Sequence, residues 1–198
     1  MAYASLADIK IYRGINTATS GSLASTKDDV ILAACLTRAQ AQIDAYCDRT
    51  FEAAATATRS FDAVRDVSDD GRTLYLDADL CSITTITNGT AVAVTKYVTV
   101  PTNVTPYREI RLKASAGESF TYSDDPEGAI TVRGKWAYST KAPADIVQAT
   151  IRLAAYMYAQ KDVSTFDVTA FPGEGMMTVP QGLPKDVREI LDRRVKLV

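Results

Sequence analysis

Six aspartates lie close together between residues 62 and 79, and they are the best candidates in this chain for binding a metal ion. They are Asp62, Asp66, Asp69, Asp70, Asp77 and Asp79. Calcium and magnesium sites need carboxylates and carbonyls at fixed spacing around one point, and the turn Ser68–Gly71 lacks the EF-hand pattern. We favour a solvated acidic turn and keep a metal-dependent hydrolase as the enzyme-class alternative.

Other signals for catalysis are weak. The chain has no histidine, which removes the commonest general base and the commonest metal ligand. Asp124 and Asp125 are adjacent carboxylates, but they precede Pro126 and Gly128, which favours a turn over an acid–base pair. There is no G-x-S-x-G motif and no Walker-type phosphate loop, and Gly173–Gly175 is too short for a dinucleotide fingerprint. No recognised catalytic motif is present, and the lack of histidine makes the metal-dependent hydrolase a poor alternative, so we favour a protein that is not an enzyme.

Composition narrows the class of partner. The 198 residues carry a formal net charge of −2 and are 46% hydrophobic. A general nucleic-acid or membrane-surface binder normally has a basic excess, and no apolar run approaches the ~18 residues of a membrane span. Cys35, Cys47 and Cys81 lack metal-type spacing and are expected to be buried, reduced thiols in a reducing compartment.

The stretch Thr26–Phe51 has the clearest periodicity in the chain. One apolar stripe follows steps of three and four residues, which is typical of a helix that faces a core; it consists of Leu32, Leu36, Ala39, Ile43 and Tyr46. The opposite face carries Arg38, Gln42 and Arg49, so we expect it to face water or a polar partner.

Three more helices are predicted. The first runs from Ser5 to about Tyr12, with Leu6, Ile9 and either Ile11 or Tyr12 inward. The third starts at Pro143 and continues through Lys161. Its inward face is expected to hold Ile146, Ala149, Ile151 or Leu153, Tyr156 and Met157. The fourth runs from Leu183 to about Lys196.

Between the second and third helices the periodicity changes to two, which indicates strands. Candidate strands are 58–63, 73–77, 83–87, 91–94, 97–100, 109–113, 119–122 and 129–133, and Asn88-Gly89 gives the strongest hairpin signal. The predicted fold class is α+β, with a helical core of about four helices and an antiparallel, β-rich insertion. We expect residues 1–54 and 141–198 to form the helical core and residues 55–140 the inserted β domain.

Two segments are candidates for partner binding. Residues 165–182 are predicted to be irregular and, because of their apolar content, to form a docking arm that is ordered by its neighbours in the assembly. The alternative is that the segment folds back onto its own helices. The residues of this arm that we expect to contact a partner are Phe166, Phe171, Met176 and Met177. Arg193 and Arg194 either grip an acidic partner or stabilise the end of the last helix. Trp136 and Tyr138 are expected to serve packing rather than a base or partner.

Three segments together resemble a known family. They are AYCDRTF at 45–51, ITVRGKWAY at 130–138 and KAPADIVQATIRLAAYMYAQKD at 141–162. The chain resembles the head–tail connector proteins of tailed bacteriophages, also called adaptor or head-completion proteins. The matching residues are Tyr46, Arg49, Thr50, Phe51, Pro143, Asp145 and Ile146. The stretch 100–112 is similar to the β insertion of longer members.

This resemblance implies a structural component of the virion neck, assembled in the host cytoplasm. Such proteins form a ring, usually of twelve copies, beneath the portal protein. The ring extends the DNA channel without sequence-specific DNA binding and presents a surface to the next tail or stopper protein. The resemblance implies no cofactor and no membrane. The alternative is a β-rich, tail-associated recognition module that binds glycan.

Overall fold

The computed structural model describes residues 3–14, 26–160, 168–171, 175–178 and 182–196. Contacts divide the chain into two units, Arg49–Ala142 on one side and Ala2–Asp48 with Pro143–Val198 on the other. The described residues form four α-helices and two antiparallel three-stranded sheets, and all six strands of these sheets lie between the second and third helices. The predicted α+β class, with its β-rich insertion, is confirmed.

The helical unit contains α1 (Leu6–Tyr12), α2 (Thr26–Cys47), α3 (Ala144–Ala159) and α4 (Lys185–Leu191). The predicted stripe of α2 is largely correct, because Leu32, Leu36, Ala39 and Ile43 are at most 3% exposed. Tyr46 lies at the rim of this stripe rather than inside it. The outward position of Arg38 is also correct, but Arg49 lies beyond the helix and is buried.

Helix α1 begins as its sequence predicts. Ser5 and Asp8 form a reciprocal capping box, in which the Ser5 hydroxyl accepts from the Asp8 amide and the Asp8 carboxylate accepts from the Ser5 amide. Ile9 is fully buried, whereas Ile11 and Tyr12 are 66% and 50% exposed, so the expected inward placement of either one is wrong. At 100° per residue Ile11 lies on the far side of α1 from Ile9, and the helix ends before another turn returns to the core.

Helices α3 and α4 both contribute buried side chains to the core of the helical unit. In α3 the inward face uses Tyr158, while Tyr156 and Met157 remain half-buried. Helix α4 buries Val187 and Leu191 completely but ends at Leu191, five residues before the predicted end. The chain turns at residues 192–194, and the Lys196 amide then donates to the Cys47 carbonyl. That bond to another helix replaces the continuation of α4.

The β unit contains β1 (Ala57–Phe61), β2 (Thr73–Leu80), β3 (Ser82–Thr87), β4 (Tyr97–Val100), β5 (Tyr107–Leu112) and β6 (Ile130–Lys135). One sheet has the order β1-β6-β3 and the other β2-β5-β4. Alternate residues of both sheets supply one core, with Leu74, Leu80, Ile110 and Ile130 fully buried. A single 3₁₀ turn, Ala114–Ala116, follows β5.

Two predicted strands, 91–94 and 119–122, are absent as strands and contribute only isolated bridges, Thr87 to Ala93 and Gly89 to Tyr122. Asn88 accounts for this difference because its buried side chain replaces ladder bonds. Its amide nitrogen donates to the Ser119 carbonyl, and its oxygen accepts from the amides of Gly89 and Thr121. A Cβ at Gly89 would lie 2.4 Å from the Thr121 carbonyl oxygen, so only glycine fits there.

The expectation of irregular backbone in 165–182 is wrong for its described part. Strands β7 (Val168–Phe171) and β8 (Gly175–Thr178) pair antiparallel, with Phe171 opposite Gly175. The β-branched and long apolar residues of these two stretches favour strands. Across the described ranges, no helix combines the length and apolarity that a membrane span requires.

Candidate assembly surfaces

The two arginines after α4 have different surroundings. Arg194 is paired within the helical unit, with its NH2 2.7 Å and its Nε 2.9 Å from the Asp145 carboxylate on α3. Arg193 is exposed. The structure thus brings Arg194 to a stabilising position and leaves the side chain of Arg193 accessible from solvent.

Polar contacts hold the rim of α4. The Tyr46 hydroxyl donates to Asp192, and this bond to a carboxylate raises the pKa of Tyr46. Arg152 of α3 pairs with Asp186 in the first turn of α4. These contacts surround the buried side chains of α4 and fix its position against α2 and α3. The residues that follow α4 are therefore held in place by a helix that is anchored on both sides.

The four apolar residues predicted to contact a partner are placed only in part. Phe166 lies outside the described residues. For Phe171, Met176 and Met177 the structure gives the backbone, in β7 and β8, and their side chains lie outside what it describes. Their role in docking stays a prediction.

The motif at 45–51 is structural. Arg49 Nε lies 3.3 Å from Asp79 Oδ2, and the two side chains are only 6% and 4% exposed. The Thr50 carbonyl accepts from the Tyr138 amide. Phe51 is fully buried, with its ring 5.7 Å from that of Tyr138. These residues join the start of the β unit to β2 through Asp79 and to the segment after β6 through Tyr138.

The acidic block is used for local structure. Asp62 accepts from the amides of Val64 and Arg65, and these bonds lower its pKa. Asp70 likewise accepts from the Ser68 hydroxyl and the Arg72 amide. Within the described ranges, no group of three or more His, Cys, Asp or Glu residues is arranged to hold a metal ion. Asp62, Asp66, Asp69 and Asp70 lie in turns, as the sequence favours, whereas Asp77 and Asp79 belong to β2 and Asp79 is buried against Arg49, so the expectation of one solvated turn is wrong for these two.

Trp136 and Tyr138 pack within the β unit. The Trp136 ring contacts that of Phe61, its indole nitrogen donates to the Ala57 carbonyl, and the Arg59 guanidinium lies 4.8 Å from its centroid. Tyr138 packs against Phe51 and Arg49. Neither ring is presented as a stacking platform.

The structure also exposes large apolar residues that the sequence reading did not select. On the helical unit these are Ile11, Tyr12, Val30 and Ile31, between 40% and 76% exposed. The Lys10–Asp29 ion pair joins α1 to α2 beside them, with 2.6 Å between the charged atoms. A helical-wheel projection of α2 could have identified Val30, because it lies opposite the buried stripe.

Comparison with solved structures gives two similar chains. One belongs to the neck of an empty gene transfer agent particle computed with C6 symmetry. It is 17% identical with a TM-score of 0.55, and the match covers 99% of this chain and 91% of that one. The other, from the virion of a native gene transfer agent particle, is 16% identical with a TM-score of 0.57 and the same coverage. At this identity the likeness shows the fold. A comparison with curated protein sequences finds no match.

The sequence also matches a family, described as head completion protein, over residues 16–195. The match includes α2, α3, α4 and the whole β insertion, so it does not depend on one short motif. It confirms the resemblance drawn from the sequence and the expectation of a structural virion protein rather than an enzyme. The chain belongs to the head completion protein family.

Proposed function

We propose that this protein is a ring-forming component of the virion neck that docks beneath the portal protein and joins the capsid to the tail. The ring extends the DNA channel and presents its other face to a downstream tail or stopper protein. The family match over 180 of the 198 residues carries this proposal. The three cysteines are buried thiols outside any disulfide, which is compatible with assembly in the reducing host cytoplasm.

For the number of copies we propose twelve. The similar neck structure was computed with C6 symmetry, and either six or twelve copies satisfy a sixfold axis. A closed ring needs a heterologous interface, in which two different surfaces of neighbouring copies meet. The described residues of the helical unit provide two surfaces that differ in this way: exposed apolar residues near α1 and charged residues on α4.

We further propose that residues 165–182 form the docking arm, with Phe166, Phe171, Met176 and Met177 as its apolar contacts and Arg193 as a neighbouring cation. Large apolar side chains and arginine are the groups that dominate binding energy at protein interfaces. Asp167 and Glu174 are the only charged residues in this segment, so little desolvation of charge opposes its burial.

Mass measurement and imaging test the ring. The full chain is incubated with its portal, and the complex is examined by native mass spectrometry and negative-stain microscopy. We expect about twelve copies on the portal face. A stable monomer or trimer that does not bind the portal but binds glycan would instead support the tail-associated recognition module.

Hydrogen exchange tests the arm. Amide exchange across residues 165–182 is compared in the free subunit and in the portal complex, with core amides of α3 as the internal reference. We expect protection to rise in the complex. Equal protection in both states would mean that this segment makes no contact with the portal.

A further inference from the structure

Strand register separates the sheet β1-β6-β3 into two faces of different chemistry. Val132 of β6 pairs with Arg59 on β1 and Ile86 on β3, whereas Arg133 pairs with Thr58 and Thr85. Directly paired residues lie on one face and alternate residues on the other. Ile130, Val132 and Ile86 belong to the buried core, so Arg133 and its paired threonines lie on the solvent side.

This outer face consists of hydroxyl and cationic side chains. Thr131, Arg133 and Lys135 of β6 belong to this face, together with the residues paired with them: Ser60 and Thr58 on β1, and Thr87, Thr85 and Ser82 on β3. It contains no carboxylate and no large apolar residue. At one end of this face, the exposed turn with Asp124, Asp125 and Glu127 leads into β6.

Within the described ranges, the two cations of this face lack the carboxylate partner that four arginines of the β unit have. Arg49, Arg59, Arg65 and Arg111 each pair with a carboxylate. No carboxylate among the described residues pairs with Arg133 or Lys135, and Arg133 is exposed. The two positions lie about 7 Å apart along β6, at ~3.4 Å per residue. They leave positive charge available in a chain whose net charge is −2.

We propose that the outer face of β1-β6-β3 contacts the phosphate backbone of double-stranded DNA, and this proposal rests on the ring function above. Arginine, lysine, serine and threonine are the side chains that contact phosphate oxygens. Protein interfaces instead use a core of large apolar side chains, which this face lacks. With only two cations per subunit, the contact is weak and does not depend on the DNA sequence. DNA can therefore move past it. A ring of subunits repeats the contact around the channel.

A titration with a 12-base-pair duplex of arbitrary sequence tests the contact directly. Backbone amide shifts of the full chain are recorded by NMR at 25 mM salt, with duplex up to millimolar concentration. We expect the shifts to concentrate in β1, β3 and β6 around Arg133. Shifts that are absent, or that concentrate on another surface, would overturn the proposal.

Charge reversal supplies the second measurement. In Arg133→Glu/Lys135→Glu we expect duplex affinity to fall about tenfold or more and the salt dependence to lose about 1.8 units of slope, at ~0.9 per phosphate contact. The matched control Arg108→Glu/Lys113→Glu makes the same charge change at two exposed residues of the β unit and should bind as the wild type does. An equal loss in both variants would indicate general charge attraction and contradict a built face.

Ring formation on the portal is measured on the same variants. A charge-reversed protein that forms rings and binds duplex normally leaves the ring function standing and removes this inference. Failure of the wild type to assemble removes the ring function, whatever the duplex result. A variant that binds duplex normally but loses the portal would show that the face meets an acidic protein surface instead.

Discussion

Arg49 and Asp79 form a buried ion pair at the start of the β unit, with 3.3 Å between Nε and Oδ2 and almost no solvent contact. Several of their polar atoms have no hydrogen-bond partner: Arg49 Nε and NH2 and both Asp79 oxygens. Removing one partner of such a pair leaves a buried charge without compensation. The pair therefore specifies how the chain enters the β unit more than it adds stability.

Removing either charge alone should be strongly destabilising. We expect Asp79→Ala to lower the free energy of unfolding by about 3–5 kcal/mol, and the apolar double variant Arg49→Met/Asp79→Leu to recover most of that loss. Urea unfolding checks both. The exposed pair Arg59–Asp77 is the control: Asp77→Ala should cost about 1 kcal/mol or less. A single variant as mild as this control would show that the buried pair is dispensable.

Asn88 should be far more important than its place in a turn suggests. Its side chain makes three hydrogen bonds to backbone groups while only 6% exposed. We expect Asn88→Ala to cost about 2–3 kcal/mol, at roughly 1 kcal/mol for each bond. Thr90→Ala, at an exposed neighbouring position, serves as the control in the same thermal or urea experiment. Matching midpoints for the two variants would refute this account.

Substituting Arg193 and substituting Arg194 should have different effects, one on portal binding and the other on stability. We expect Arg194→Ala to lower stability by about 1 kcal/mol, because its bonds to Asp145 are partly shielded from water. Arg193→Ala should leave stability within ~0.5 kcal/mol and, under the proposed function, weaken portal binding. Unfolding curves and a portal pull-down measure the two effects. If both variants behave alike in both assays, the structural distinction between these residues has no consequence.

The pKa values of two aspartates, Asp44 and Asp8, are shifted in opposite directions, and acid unfolding should show the difference. Burial raises the pKa of Asp44 above 3.8, despite a hydrogen bond from Tyr3, so the folded state binds its proton more tightly than the unfolded state. Asp44 therefore destabilises the fold at neutral pH, and that effect fades as pH falls through the raised pKa. We expect Asp44→Asn to be more stable than wild type at pH 7, with the difference shrinking in acid.

Asp8 provides the contrasting case. Bonds from Ser5 lower its pKa, so its contribution is present above the unfolded pKa and is lost as pH falls through the folded value. We expect Asp8→Asn to be less stable at pH 7, again with a difference that shrinks in acid. Unfolding of the three proteins from pH 3 to 7 checks both signs; shifts of equal sign would contradict the assignment.

The sequence predicted elements whose periodicity is strong and local. The stripe of α2 and the bounds of β4 follow directly from residue spacing. The errors arose where one side chain or one distant contact decides the outcome. Asn88 satisfies backbone groups that strands at 91–94 and 119–122 would otherwise pair, and the bond of Lys196 to Cys47 accompanies the early end of α4. Neither contact leaves a periodic signal.

The candidate surfaces were less predictable for the same reason. Arg193 and Arg194 are adjacent cations in sequence, and only the position of Asp145 on α3 distinguishes them. The outer face of β1-β6-β3 depends on pairing between strands more than sixty residues apart in sequence. Composition alone could not show that Arg133 lies between Thr58 and Thr85.

The stem of the β unit has a consequence for how such a protein diversifies. The segment beginning at Thr50 and the segment ending at Ser139 run side by side, joined by the Tyr138 amide to the Thr50 carbonyl and by the Ala53 amide to the Ser139 carbonyl. A block whose two ends are neighbours can be exchanged, enlarged or shortened without lengthening the path of the surrounding chain. These paired segments are therefore a natural graft point, at which the whole β block can be replaced while the helical unit is kept.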